Sequence, residues 1–359
     1  MNTEMLTLQQ AADRLLQMDR ILLLCHKNPD GDTVGSACAL CHALCKLGKQ
    51  AAIACNDEIP ARYSYMQIPL YQEQFEPAAV VAVDVAGMQL FGSKTVDWAK
   101  RCDLCIDHHA SHSYYADGLV LDPTAAACAE IVLRLIEALD VELTPLMADC
   151  LYTGVATDTG CFKFANVTPE THMAAAKLMQ LGADFRKLNA LLFESKSRSQ
   201  LAVEAMVLKN MEYHFGGRCA ITSLTLEEIA ACHAQPVDLE SVTGIARAIE
   251  GVQVGITMRQ QPTGSYKISV RSGLEVDAAA IATAFGGGGH HGAAGCEVFG
   301  SLENAKQALI SEVIHHLPDG GEDDYIAPMP EITDLFHPEI VASMQVEAAE
   351  KADDTQKQE

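Results

Sequence analysis

"LCIDHHASH" occupies Leu104–His112. Its apolar start reads as a β-strand, and its end places Asp107, His108 and His109 side by side. A surface loop is the plain account of such an ending, so the other strand ends must be compared with it. "ILLLC" (21–25) runs into "HKNPDGDTVGS", which carries His26, Asp30 and Asp32. "VVAVDV" (80–85) carries Asp84, and "ATDTGCF" after a helix near 145–157 carries Asp158. Between them lie a further strand at "QAAIAC" (50–55), an apolar-periodic helix from about Val34 to Leu47, and helices near 125–139 and 169–181. Strands that alternate with helices imply a mostly parallel sheet covered on both faces. The carboxyl ends of such strands share one edge, where ligands bind, so these scattered segments can meet there.

Five aspartates and three histidines cannot crowd together without a cation, because like charges that close repel. Oxygen-rich sets with some imidazole suit Mn²⁺ or Mg²⁺ better than a structural zinc. There are more ligands than one ion needs. Two ions roughly 3.5–4 Å apart, sharing a carboxylate, would use them and would turn a bound water into a nucleophile. Any one of these aspartates alone would read as a turn or helix cap; only the joint pattern points to metal chemistry.

The segment 186–213 lacks Pro and Gly and reads as a connecting helix. A second, smaller α/β unit follows over 214–318, with strands "CAITSL" (219–224), "VQVGITMR" (252–259) and "YKISVRS" (266–272). A helix near 277–284 leads to "FGGGGHHGAAG" (285–295), and a closing helix covers 301–317. The glycines let a ligand approach backbone N–H groups. Arg271 can grip a phosphate bidentately and Ser272 can add a hydrogen bond. The expected fold is therefore two α/β domains, 1–185 with the mostly parallel sheet and 214–318, facing each other across a cleft.

The chain has 359 residues and a net charge of −23. Such acidity disfavours an extended grip on long duplex nucleic acid. Twelve acidic residues against Lys351 and Lys357 fall in 319–359, which reads as a disordered tail with a short helix near 338–350. The longest apolar runs are strand-length, and the N-terminus lacks a basic start and apolar core, so neither a membrane span nor an export signal is expected. Thirteen cysteines then read as reduced, mostly buried thiols of a cytoplasmic protein. Cys38, Cys41 and Cys45 share a helix face, and Cys102 and Cys105 form a C-x-x-C without the second pair that a zinc site needs.

"HKNPDGDTVGS", "VAVDV", "IDHH" and "TDTG" resemble, in order, the four motifs of the DHH phosphoesterases. The resemblance covers about residues 8–318. It implies that His26 and Asp30 hold one metal, that Asp32, His108 and Asp158 hold the other, and that Asp84 bridges them. His109 would face the substrate phosphate and help the leaving oxygen depart. Asp107 would orient a neighbouring histidine, and Asn28 and Gly31 would shape the first loop. The second unit resembles the DHHA1 domain, which implies that Arg271, Ser272, Gly287, Gly288, Gly289 and His290 bind the substrate's phosphate or terminal nucleotide. His291 falls at a variable position of that motif.

Within the family, the compact two-domain type resembles enzymes that hydrolyse very short RNA and 3′,5′-bisphosphate nucleotides (pAp). The pyrophosphatases lack the glycine-histidine motif, long-strand exonucleases carry a further domain, and membrane-anchored cyclic-dinucleotide enzymes carry spans. The resemblance leads to an expectation of two divalent ions, with Mn²⁺ ahead of Mg²⁺ or Co²⁺. Short RNA oligonucleotides or small nucleotides are the expected partners, with a homodimer left open. Linear or cyclic di-adenylates are the alternative substrates. A silent nucleotide-binding module is the non-enzymatic alternative, and degenerate ligands would mark it; none is degenerate here.

Overall fold

The computed structural model describes residues 3–235, 238–239 and 241–318. The acidic segment 319–359 lies outside the described residues. Two compact units divide between Ser195 and Lys196.

The first unit is built on six strands: β1 (Glu4–Met5), β2 (Ile21–Leu24), β3 (Ala51–Ala54), β4 (Ala79–Val83), β5 (Leu104–Asp107) and β6 (Gly118–Leu121). They pair in the order β1-β6-β5-β4-β2-β3, all parallel. Its helices are α1 (Leu8–Gln17), α2 (Gly31–Lys46), α3 (Val96–Ala99), α4 (Cys128–Ala138), α5 (Pro145–Asp158), α6 (Pro169–Gln180) and α7 (Phe185–Asn189). Strands β2, β4 and β5 are buried at every residue, as a parallel sheet covered on both faces requires. Ile21, Leu23, Val81, Val83, Leu104 and Ile106 pack under α1, α2, α4 and α5. Leu22, Leu24, Val80, Ala82 and Cys105 face the other way, against Phe91, Ala99 and Ala116.

The chain passes from β2 outward to β3 and then crosses back to β4 on the far side of β2. That reversal opens a crevice at the carboxyl ends of β2 and β4, the usual ligand position in open α/β sheets. Helix α2 starts at Gly31, earlier than the sequence periodicity indicates, because the Asp30 side chain caps it by accepting the N–H groups of Asp32 and Thr33. Helices α2 and α5 lie so close that Gly35 faces the Cys150 carbonyl. A Cβ on Gly154 would sit 2.6 Å from Asp32 Oδ1. The strands β1 and β6, of two and four residues, are absent from the sequence reading.

The stretch 186–213 is not one helix. It comprises most of α7, a π-helical turn (Ala190–Glu194), α8 (Arg198–Lys209) and the start of a new strand. The break comes at Ser195–Ser197, where the Ser197 hydroxyl accepts the Gln200 N–H and starts α8 afresh.

The second unit has β7 (Glu212–His214), β8 (Cys219–Leu224), β9 (Val254–Gln260), β10 (Tyr266–Ser272), β11 (Gly288–His290) and β12 (Ala293–Val298). Their order is β11-β12-β10-β9-β8-β7, with only β8–β9 parallel. After α9 (Leu226–Ala231), helices α10 (Ala278–Thr283) and α11 (Leu302–Val313) cover one face over Ile256, Ile268 and Val270. The glycine-rich stretch is therefore partly strand: β11 and β12 form a hairpin whose turn is His291–Gly292.

All thirteen cysteines are free thiols, most of them buried. Among the described residues no cysteine joins a cluster able to hold a metal, and no helix is long and apolar enough to cross a membrane.

Candidate metal centre

Strands β5, β4 and β2 are neighbours, and the residues that follow them meet at the sheet's carboxyl edge. Asp84 directly follows the middle strand, so it lies between the other two. Its carboxylate is 3.8 Å from His26 Nε2 and 3.5 Å from His108 Nε2. Asp30 Oδ1 is 3.5 Å from His26 Nε2. On the other side, His108 Nε2 is 3.3 Å from Asp158 Oδ2 and 4.0 Å from Asp32 Oδ2. Three triplets thus have ligand atoms within 4.8 Å of one another: His26, Asp30 and Asp84; Asp32, His108 and Asp158; and Asp84, His108 and His109.

The surrounding fold holds each group. Asp32, fully buried in the first turn of α2, accepts N–H groups of Cys128 at 2.6 Å and Ala129 at 2.9 Å, and the Ser36 hydroxyl at 3.0 Å. The amino end of α4 therefore anchors it, as the helix dipole favours. Asp158 is the last residue of α5. Asp84 has a left-handed φ of +61°, a strained conformation for a residue with a Cβ, fixed by its N–H bond to the Ile106 carbonyl at 2.9 Å. Asn28 is also left-handed, at φ +52°, and its N–H donates to Asp57. Gly31 passes so close to Thr157 that a Cβ would collide with its side chain. Apart from Ser36, four residues from Asp32 in the first motif, none of these anchors could be read from the motifs, because each partner is distant in the chain.

The histidine rings have defined proton positions. His26 Nδ1 lies 2.8 Å from the Lys27 carbonyl and His108 Nδ1 lies 3.1 Å from the Ala125 carbonyl. A carbonyl can only accept, so both Nδ1 atoms carry a proton and each ring turns its Nε2 toward carboxylates. His108 Nε2 and Asp84 Oδ1 are buried with no hydrogen-bond partner. Acceptors facing acceptors in a buried site lack only a cation, so the donor set fits divalent metal.

His109 differs. Its Nδ1 donates to Asp107 Oδ1 at 2.8 Å, and that bond raises its pKa. Asp107 is fully buried and also accepts the His108 N–H at 2.9 Å. It orients His109 and joins none of the three triplets.

Burial pushes Asp84 well above the usual carboxylate range, and Asp32, Asp30 and Asp158 push it the same way. Burial and the neighbouring carboxylates drive Asp158 up to about 9. Asp32 is raised chiefly by burial. Burial lowers His26, but its contact with Asp30 more than offsets this and its pKa is raised. For Asp30, burial is outweighed by His26 and the capped N–H groups, and its pKa is lowered.

The sign for stability follows. Raised carboxyl groups keep protons in the native state that the unfolded chain has released above about pH 4, so metal-free protein should lose stability as pH rises through this window. The raised His26 acts in the same direction above its unfolded value; the lowered Asp30 acts only below about pH 4. The melting temperature of chelated protein is expected to fall by about 5 °C or more between pH 5.5 and 8.5. Saturating Mn²⁺ should flatten that slope by displacing the protons. Asp158→Asn in chelated protein isolates this cluster from the general charge; a slope equal to that of the wild type would disprove the proton inventory.

In the second unit, Arg271 and Ser272 end β10. Arg271 pairs with Ala293 on β12, which pairs with His290 on β11. Directly opposed residues project from one face, so Arg271 and His290 flank the small Ala293 on the same side. Arg271 bonds the Val270 carbonyl and the Thr243 hydroxyl, and burial lowers its pKa. Ser272 donates to the His291 carbonyl at 2.9 Å, which ties the hairpin turn to β10. The three glycines have different tasks. A Cβ on Gly287 would strike the Gly295 carbonyl and one on Gly289 would sit 2.5 Å from Ala294 Cα, so both serve the packing of β11 on β12. Gly288 faces open space.

The profile described as the DHH family, N-terminal domain, matches residues 20–155, and that of the DHHA1 domain matches 205–317. The bifunctional oligoribonuclease and PAP phosphatase NrnA of Thermus thermophilus is 33% identical over 309 residues, 84% of this chain and 91% of that protein. The cyclic-di-AMP phosphodiesterase GdpP of Geobacillus thermodenitrificans is 22% identical over 330 residues, 86% of this chain and 49% of that longer protein. An exopolyphosphatase-related protein from Bacteroides fragilis superposes with a TM-score of 0.78 at 26% identity, covering 88% of this chain and 98% of that one. With the motif residues gathered at one sheet edge and both domain profiles matched in order, the chain belongs to the DHH family of phosphoesterases and carries the DHHA1 domain after its DHH domain.

Proposed function

We propose that this chain hydrolyses very short RNA, about two to five nucleotides long, to mononucleotides, and 3′,5′-bisphosphate nucleotide (pAp) to AMP. The observation that carries this reading is the position of Asp84 between His26 and His108, with buried Asp84 and His108 atoms left unpartnered. The Thermus thermophilus relative, matched over most of both chains, supports the substrate class.

His26 and Asp30 would hold one divalent ion, Asp32, His108 and Asp158 the other, and Asp84 both; Mn²⁺ is the favoured metal. Such ions neutralise phosphoryl charge and lower the pKa of water near neutral pH. Asp107 holds the His109 ring by Nδ1, which leaves Nε2 to donate a proton to the leaving oxygen. The bond to Asp107 raises the His109 pKa, which favours the protonated donor. Arg271, Ser272 and His290, with the open Gly288 beside them, hold a substrate phosphate or terminal nucleotide. Gly287 and Gly289 contribute by keeping β11 flat against β12.

A second reading, hydrolysis of linear or cyclic di-adenylate, is favoured by the match to the cyclic-di-AMP phosphodiesterase over most of this chain. One panel separates the two: pAp, dinucleotides to pentanucleotides, a 20-mer, cyclic di-AMP and pyrophosphate, each with Mn²⁺ and with excess chelator. Fast Mn²⁺-dependent turnover of dinucleotides and pAp supports the first reading. Turnover restricted to cyclic di-AMP or pApA supports the second, and undiminished turnover in chelator refutes both.

A further inference from the structure

After Asp158 the chain makes an unusual turn. Gly160, Cys161 and Phe162 are all left-handed, with φ of +56°, +59° and +63°. Two of the three carry a Cβ, for which this conformation is unfavourable, so the rest of the loop must enforce it. The turn sends two phenylalanines in opposite directions. Phe162 points inward and stacks on His172, with ring centroids 5.4 Å apart and planes at 22°. Phe164 points outward and is 58% exposed.

The exposed ring is nevertheless held. It lies over Gly160 so closely that a Cβ there would collide with it. The Phe164 N–H donates to the Thr159 carbonyl at 3.1 Å. Asn166 clamps the loop: its Nδ2 donates to the Asp158 carbonyl at 3.1 Å and to the Ala126 carbonyl at 3.0 Å. The neighbouring Ala125 carbonyl is the one that positions His108. A rigid aromatic face is thus presented to solvent from the same hydrogen-bonded loop that carries Asp158.

An exposed phenylalanine fixed in this way contributes little to the core. It suits a flat apolar partner, because a preformed surface loses little entropy on binding. Every nucleobase offers such a face, whatever its sequence. We propose that Phe164 is the stacking surface for the nucleobase beside the scissile phosphate and so a specificity-determining residue; the proposal rests on the nucleotide-directed reading above. It selects nucleotides over phosphate compounds that have no base.

Phe164→Ala should raise KM for a 2-aminopurine dinucleotide roughly fivefold to a hundredfold. The change in kcat should stay under about twofold, since uniform binding is lost. The variant should also lose most of the 2-aminopurine fluorescence quenching on binding a slowly cut phosphorothioate of the same dinucleotide. Phe164→Trp should keep both properties. Hydrolysis of ribose 3,5-bisphosphate, which has no base, should be unchanged in Phe164→Ala. The assignment is overturned if Phe164→Ala matches the wild type in KM and quenching, or if it slows ribose bisphosphate as much as the dinucleotide. If the wild type cuts ribose bisphosphate or pyrophosphate but no nucleotide, the proposed function itself falls, and this assignment with it.

Discussion

Asp84→Ala is expected to abolish hydrolysis. The carboxylate directly follows β4, between β2 and β5, and lies within 3.8 Å of His26 and 3.5 Å of His108, so one substitution would remove a ligand from both proposed metal positions. Metal polarisation of a phosphoryl oxygen is worth several kcal/mol in the transition state, so kcat/KM should fall about a thousandfold or more. Alanine also sits poorly at φ +61°, so Asp84→Asn is the sharper variant. Asparagine tolerates the left-handed backbone and keeps the shape while losing the charge. Direct metal analysis of the dialysed protein should read two ions per wild-type chain and fewer in either variant. A variant that keeps two ions and turns over within about tenfold of the wild type would remove Asp84 from the bridging position.

The second large effect is expected on the other unit. Arg271→Ala should lower kcat/KM on dinucleotides about tenfold to a hundredfold, the worth of one charge-assisted contact of roughly 1.5–3 kcal/mol. Both metals should stay bound, because Arg271 lies on β10 of the second unit and every candidate ligand lies on the first. His290→Ala should behave similarly, since Ala293 alone separates the two residues across the sheet. His291→Ala should be milder: the groups of this residue that bond Ser272 and Ala278 are its backbone carbonyl, which the substitution keeps. A 20-mer should be a much poorer substrate than a dinucleotide, because a net charge of −23 disfavours binding of its further phosphates. A 20-mer cut as fast as a dinucleotide, or an Arg271→Ala loss below about threefold, would mean that only the scissile phosphate is recognised.

The sequence by itself determined which residues could carry the chemistry. A buried parallel strand is a run of apolar residues, so the first polar residue after it marks the carboxyl edge; His26, Asp84 and His108 are found in that way. The helices near 145–157 and 169–181 were legible for a similar local reason, with Thr144-Pro145 and Thr168-Pro169 opening them. Only the tertiary structure decided how the residues are arranged. Chain order places β3 between β2 and β4, yet pairing puts β4 beside β2, and that alone centres Asp84. The tautomer of His108 depends on the Ala125 carbonyl, and the anchoring of Asp32 on the N–H groups of Cys128 and Ala129. Phe162 and Phe164 look alike in the sequence, but a left-handed turn packs one ring on His172, partly buried, and presents the other to solvent. The glycines 287 and 289 read in the sequence as part of a ligand loop, and only the structure shows that β12 passes too close for a Cβ at either. Patterns of period two or 3.6 report which face of an element is apolar. They hold no information about which distant carbonyl, amide or strand will lie against it, because those contacts are selected by the packing of the whole domain.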